Sequence, residues 1–232
     1  MVWGNNRFVG VGNRLAYSAN GITWTVTESS SIFGRGEFNG IAWGDGKFVA
    51  VGSGGRIVYS PDGATWGMVE NSAFDAPESW RNSINDVTWG NGRFVAVGGA
   101  GRIAYSTDGI TWTAVTNNTF GSEFRAIAWG SDRFIALSDL TMAYSMDGVT
   151  WTTSSNSIFN FNNVTDVTWG GGIFLAVGRS GRMAYSTDGI TWTAIPNNIF
   201  GVELGSWIRG VAWGNNRFLA VGTNGEMAFS TE

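Results

Sequence analysis

The chain has 232 residues, 43% of them hydrophobic, enough for one sizeable core or two small ones, so a disordered polymer and a disulfide-stapled miniprotein are both excluded. Only 14% are charged, against roughly 25% in an average domain, while Gly reaches 35 and Trp 13, so the surplus lies in turn formers and aromatics. With six Leu and a single Lys, Lys47, the residues that build helical bundles are scarce, and the composition predicts an all-β fold.

The net charge is −4, and the cations are almost all Arg, spread along the whole chain. There is no basic stripe of the kind that tracks phosphates, and nucleic acid is not an expected partner. The absence of His and Cys removes Cys nucleophiles, Ser-His-Asp triads and the usual zinc and haem ligand sets, so neither a metal nor a cofactor is expected. No apolar run approaches the roughly 18 residues of a membrane span, and membrane insertion is not expected. Met1-Val2-Trp3 does not open a signal peptide; an extracellular or surface-associated place is nonetheless the favoured expectation.

Self-comparison settles the organisation. The dipeptide Trp-Gly begins at residues 3, 43, 89, 129, 169 and 213, a period near 42 that reads as one supersecondary unit per repeat. In each unit a short strand A ends in Trp-Gly, two turn residues follow, and strand B is a hydrophobic run, as in Asn91-Gly92 before Arg93-Phe94-Val95-Ala96-Val97-Gly98. This is the signature of a two-residue β-hairpin. A second hairpin joins strand C, such as Gly101 to Ser106, through Thr107-Asp108-Gly109 to strand D, Ile110 to Thr113. Four antiparallel strands per unit predict the blade of a β-propeller, and the tight turns exclude the parallel coils of a solenoid.

In chain order the blades fall at about residues 1–26, 40–70, 86–116, 126–154, 166–196 and 210–232 of a single domain. The first five carry all four strands. The sixth has A, B and C and stops at Phe229-Ser230-Thr231-Glu232, where strand D would begin. The expectation is a six-bladed β-propeller whose last blade lacks its outer strand, with a five-bladed ring as the alternative. The open edge of the last blade offers a place for self-association or for pairing with another chain.

The heptad Ser106-Thr107-Asp108-Gly109-Ile110-Thr111-Trp112 and its copies Ser60 to Trp66, Ser145 to Trp151 and Ser186 to Trp192 resemble the Asp-box of bacterial neuraminidase-type repeats, shortened by one residue between Asp and Gly. Ser18 to Trp24 has Asn20 in place of the Asp. The resemblance implies a fold element between the third and fourth strands of a blade, found in sialidases, in lectins and in proteins of no known activity. Its physics is structural: the carboxylate caps backbone N–H groups, Gly takes positive φ and Trp packs between sheets. One carboxylate per turn is too few for the six to eight oxygens of a calcium site. Gly-rich segments such as Gly98 to Gly101 lack Lys-Ser/Thr and read as turns, not phosphate cradles.

Binding residues are expected where the repeat breaks, in the linkers from strand D to the next strand A. Each linker brings a Phe (Phe33, Phe74, Phe120, Phe159, Phe200), read as a plug between blades. Four add a Glu, an aromatic and an Arg: Glu37 with Phe38 and Arg35, Glu78 with Trp80 and Arg81, Glu123 with Phe124 and Arg125, Glu203 with Trp207 and Arg209. An aromatic face, a carboxylate acceptor and a guanidinium fork suit a sugar ring and its hydroxyls. Trp80 and Trp207 stand outside the repeat lattice in the longest linkers and are the leading candidates. The fourth linker offers only Phe161, Asn162 and Asn163.

By the same resemblance a sialidase would need an Arg cluster, a Tyr nucleophile with a Glu partner and an Asp acid/base. All five Tyr (Tyr17, Tyr59, Tyr105, Tyr144, Tyr185) are repeat residues before the Ser of strand C, and the linker Glu residues recur instead of forming one asymmetric pair. The sequence reading is therefore a non-catalytic, carbohydrate-binding, lectin-like propeller. Several weak sites on one face would gain avidity on a repeated glycan. A protein-interaction scaffold or surface module is the alternative, and hydrolysis the third possibility.

Overall fold

The structure is a computed structural model that describes residues 1–27, 36–74, 82–116, 120–154, 164–196, 200 and 207–230. Among these residues 23 strands form six antiparallel sheets, five of four strands and one of three. The expected class, an all-β six-bladed β-propeller with its last blade one strand short, is what is found, and the five-bladed alternative falls. The contacts divide the chain into two compact units, Met1–Gly121 with the first three blades and Ser122–Glu232 with the last three.

The first unit holds β1 (Val2–Gly4) to β4 (Thr25–Val26), β5 (Phe38–Gly44), β6 (Lys47–Gly52), β7 (Arg56–Ser60) and β8 (Gly67–Met68), then β9 (Ile84–Gly90) to β12 (Thr113–Ala114). Each blade runs in chain order, neighbour to neighbour. The Trp-Gly turns explain the first hairpin: Asn5 and Asn6, Asp45 and Gly46, and Asn91 and Gly92 all have positive φ at both central positions. That is the type I′ geometry whose twist matches the flanking strands, and Asn, Asp and Gly are the residues that tolerate it. Trp43 pairs with Phe48 and Gly44 with Lys47 across the hairpin, and the two rings lie 4.4 Å apart.

The blades stack by a repeated contact. At Gly44 a Cβ would run into the Trp89 ring of the next blade, and at Gly4 into the Trp43 ring, so the Gly of these Trp-Gly pairs is the flat surface that receives the following Trp. The box Trp fills the other end of the gap. Trp66 is buried among Val9 and Leu15 of the first blade and Phe48, Ala50 and Val58 of its own. Trp112 occupies the matching place between the second and third blades, among Val49, Ile57, Phe94, Ala96 and Ala104. Burying a side chain of this size stabilises the junction by several kcal/mol, on the order of 3–5 as measured by truncation.

The second unit repeats the scheme with β13 (Phe124–Gly130), β14 (Arg133–Ser138), β15 (Met142–Ser145) and β16 (Thr152–Ser154). It continues with β17 (Val164–Gly170), β18 (Ile173–Gly178), β19 (Met183–Ser186) and β20 (Thr193–Ala194), and closes with β21 (Ile208–Gly214), β22 (Arg217–Gly222) and β23 (Met227–Phe229). Gly130 receives Trp169 and Gly170 receives Trp213. Trp192 lies among Ile135, Met142, Phe174, Ala176 and Ala184, the same five register positions that surround Trp66.

The box turns are built as their residues dictate. In the third blade the Ser106 hydroxyl donates to Asp108 Oδ1 at 2.9 Å and accepts the Gly109 N–H at 2.8 Å. Asp108 Oδ1 also accepts the Ile110 and Thr111 N–H groups at 2.8 and 2.7 Å. The Trp112 indole N–H closes the turn on the Gly109 carbonyl at 3.2 Å. Burial opposes ionisation of Asp108, yet the bonds from Thr111, Ile110 and Ser106 outweigh it and hold the carboxyl at about 2. Asn20 makes the same two backbone bonds, to Ile22 and Thr23, because an amide oxygen accepts as a carboxylate oxygen does.

Candidate functional site

The linker residues singled out in the sequence separate into three groups. Trp80, Glu78, Arg81 and Glu203 lie outside the described residues. Phe38 and Phe124 do not line a binding surface: they are 5% and 0% exposed. They open the innermost strands, in register with Ile84, Val164 and Ile208, which are buried as well. Each stands five residues before its blade's Trp, a position that is apolar in all five blades where it occurs. That shared position is the sequence signal that marks them as core, and the assignment of these two rings to ligand stacking is corrected here.

The third group is exposed or half-buried and engaged within the chain. Glu37 is exposed, and its carbonyl accepts the Ser53 N–H at 3.0 Å. Arg125 donates through Nε and Nη2 to Asp139 Oδ2 at 3.0 and 2.9 Å, with Glu123 at 3.9 Å from Nη2. The guanidinium is therefore committed to Asp139 before any ligand arrives. Trp207 forms an isolated bridge with Arg179, and its N–H bonds Thr223 Oγ1 at 3.1 Å. The Arg179 and Arg209 guanidiniums sit 3.9 and 4.3 Å from its ring centroid. A ring already stacked by two guanidiniums is not a vacant platform for a sugar.

Two features of the second unit escaped the sequence reading. The first is Asp166 on β17, three residues before Trp169, where the second and sixth blades have Gly40 and Gly210. Its Oδ1 accepts the Val167 N–H and its Oδ2 the Val211 N–H, both at 2.8 Å, so it ties the inner strand of the fifth blade to that of the sixth. The residue keeps some surface, but enclosure of the carboxylate pushes it up to about 6 in spite of those two bonds. The signal was available: an acid at a strand position held by Gly or Ala in three other blades and again by an acid, Asp86, in the third.

The second is the apolar lining of the sixth blade, whose open edge the sequence did indicate. Along β22, Phe218 and Ala220 point inward and Leu219 and Val221 outward, and β23 places Met227 and Phe229 opposite Val221 and Leu219. These four outward residues are 44%, 37%, 67% and 64% exposed for Leu219, Val221, Met227 and Phe229, whereas Val49, Val51 and Ile57 of the second blade are fully buried. On the inward side, a cavity of about 300 Å³ opens between the fifth and sixth blades, lined by Leu175, Met183, Phe218, Ala220 and Ala228 among others.

Comparison with known proteins places this geometry in a wide structural class. No family model and no curated sequence matches the chain. Among solved structures it is similar to YCF48 bound to D1 peptide, with a TM-score of 0.69 and 17% identity over 98% of this chain and 75% of that one. It is also similar to YCF48 from Cyanidioschyzon merolae, with a TM-score of 0.66 and 16% identity over 96% and 77%. A streptogramin B lyase superposes with a TM-score of 0.70 and 11% identity over 90% and 69%. At these identities the likeness is one of fold.

Proposed function

We propose that this chain is a non-catalytic binding scaffold whose ligand is a polypeptide. The observation that carries the reading is the sixth blade, whose described residues form a sheet of three strands beside an open apolar cavity lined by Leu175, Met183, Phe218, Ala220 and Ala228. Apolar side chains next to unpaired backbone donors and acceptors suit an extended peptide, which supplies both kinds of partner at once. A propeller of similar fold, YCF48, has been solved bound to a peptide, which is in keeping with this reading.

Two further points support it. Of the aromatic rings expected to stack on a sugar, the described ones are buried (Phe38, Phe124) or already stacked by guanidiniums (Trp207). The lack of His and Cys and the repeat-bound Tyr residues support a role without turnover. Glycan recognition is the second reading, and it now rests on Glu78, Trp80 and Arg81. Parallel peptide and glycan arrays separate the two. The expected result is saturable binding to peptides that Leu219→Glu or Met227→Glu abolishes, with no glycan signal. Glycan binding that survives those changes and is lost in Trp80→Ala would overturn the proposal in favour of the lectin reading.

A further inference from the structure

The cavity beside the sixth blade has a definable shape because the same space is filled elsewhere. Trp66 is surrounded by Val9, Leu15, Phe48, Ala50 and Val58, and Trp192 by Ile135, Met142, Phe174, Ala176 and Ala184. Aligning the blades on their Trp-Gly hairpins and Tyr-Ser pairs turns either set into Leu175, Met183, Phe218, Ala220 and Ala228. Those five residues line the cavity of about 300 Å³. The void is thus the place of a box indole, with these five wall positions present and no box Trp among the described residues of the sixth blade.

The backbone beside the void is open in a matching way. In the complete blades the residue three after the box Trp donates its N–H to strand C: Val69 to the Ile57 carbonyl, Val115 to Ile103 and Ile195 to Met183, at 3.0, 2.9 and 2.9 Å. The residue directly after the Trp pairs with the Tyr of strand C, as in Gly67 with Tyr59 and Thr193 with Tyr185. The equivalent positions on β23 are Met227 and Phe229. The β23 residues bonded toward β22 alternate with these, Ser230 donating to the Phe218 carbonyl at 3.0 Å and the Glu226 carbonyl accepting from Gly222 at 2.8 Å. Met227 and Phe229 therefore turn their backbone groups to the free edge.

We propose that the fifth–sixth blade cleft and the β23 edge form one site for an added β-strand, anchored by a Trp in the cavity. The donor is an extended segment of box type, Asp-Gly-x-Thr-Trp followed by three strand residues. Its Trp enters between Leu175 and Phe218, the next residue pairs with Phe229, and the third residue donates to the Met227 carbonyl. This specifies the partner of the polypeptide-binding reading above and rests on it. The anchor supplies affinity through buried apolar area, and the backbone pairing fixes direction and register.

The test is a titration of the full chain with a fluorescent peptide of its own sequence 186–196, Ser-Thr-Asp-Gly-Ile-Thr-Trp-Thr-Ala-Ile-Pro. Saturable one-to-one binding is expected. Replacing the peptide's Trp by Ala should weaken it at least about tenfold, the scale of a lost aromatic anchor. Proline in place of Ile195 in the peptide, which removes the N–H meant for the Met227 carbonyl, should weaken it several-fold. On the protein side Ala220→Leu and Ala228→Leu fill the cavity and should block the peptide. The peptide variants keep the test valid should those proteins fold poorly. Equal binding of the Trp and Ala peptides overturns the cleft assignment while leaving the polypeptide-binding reading standing. Loss of binding in Leu219→Glu with no effect of Ala228→Leu does the same. No binding of any peptide overturns both.

Discussion

The second and sixth blades share one pattern and differ in a single part. In the second, Trp66 is 7% exposed and its gap to the neighbouring blade is filled. In the sixth, the same wall positions enclose a void. The walls of the site exist because the repeat builds them for packing. What distinguishes the two places is the absence of the plug, so a binding surface arises from an unfinished core contact without any specialised chemistry. Propeller junctions are pairwise, each blade touching its neighbours, so an open junction at the last blade need not disturb the closed ones.

The largest effect expected from this contrast is at a filled junction. Trp112→Ala should lower stability by about 3–5 kcal/mol, read by thermal or urea unfolding of the whole chain. Trp207→Ala should change it by less than about 1 kcal/mol, because that ring is part-exposed and held by surface guanidiniums. Equal losses at the two sites would break the distinction between plug and rim. Next in size is Gly63→Ala. Gly63 has φ of +72°, and a Cβ there would meet Val9 Cγ2 at 2.6 Å, so a loss of about 1–3 kcal/mol is expected. Gly214→Ala, with nothing within 4 Å of its Cβ, should cost far less.

Asp108→Ala should cost about 1–2 kcal/mol by leaving the Ile110 and Thr111 N–H groups without their acceptor, and Asp108→Asn should recover most of it, since Asn20 already serves in the first blade. Because the folded-state value of Asp108 lies at about 2, below the ordinary 3.8, its contribution is present above that range and is lost as pH falls toward 2. The Asn variant should flatten that part of an acid-unfolding curve. Asp166 has the opposite sign. Its folded-state value of about 6 is above 3.8, so its contribution is greatest at low pH and declines as pH rises through about 6. Stability of the wild-type chain measured from pH 4 to pH 7 should fall more than that of Asp166→Asn. Parallel curves would show that the carboxylate is better hydrated than its enclosure implies.

Much of this architecture was legible in the sequence because a repeat states each structural requirement several times over. Asn-Gly or its equivalents after every Trp-Gly identified the first hairpin, and the box identified the second. The sixth unit showed strands A, B and C, and three strands are what its described residues form. The linkers were harder to read, since their aromatic rings occur in places where burial depends on the strand boundary. Phe38 and Phe124 read equally as linker rings or as inward packing, and their inner strands begin on them, with a bulge between Phe38 and Gly40 and between Phe124 and Ala126. A bulge shifts the side-chain alternation that a period-two reading relies on. The cleft was illegible for another reason: no residue type marks it, only the absence of a Trp from a space that five ordinary core residues define. Asp166 did carry a mark, an acid on an inner strand, shared only with Asp86 of the third blade.

The central claim is that the edge of β23 and the adjoining cavity receive an added strand of box type. Amide hydrogen exchange at Met227 and Phe229 tests it most directly, because both N–H groups face the open edge and only a paired strand can protect the one at Phe229 in the register described. The account predicts fast exchange at Phe229 in the free chain, strong slowing on adding the box peptide, and no slowing with the peptide in which Trp is replaced by Ala. Slow exchange in the free chain, or equal protection by both peptides, would contradict it.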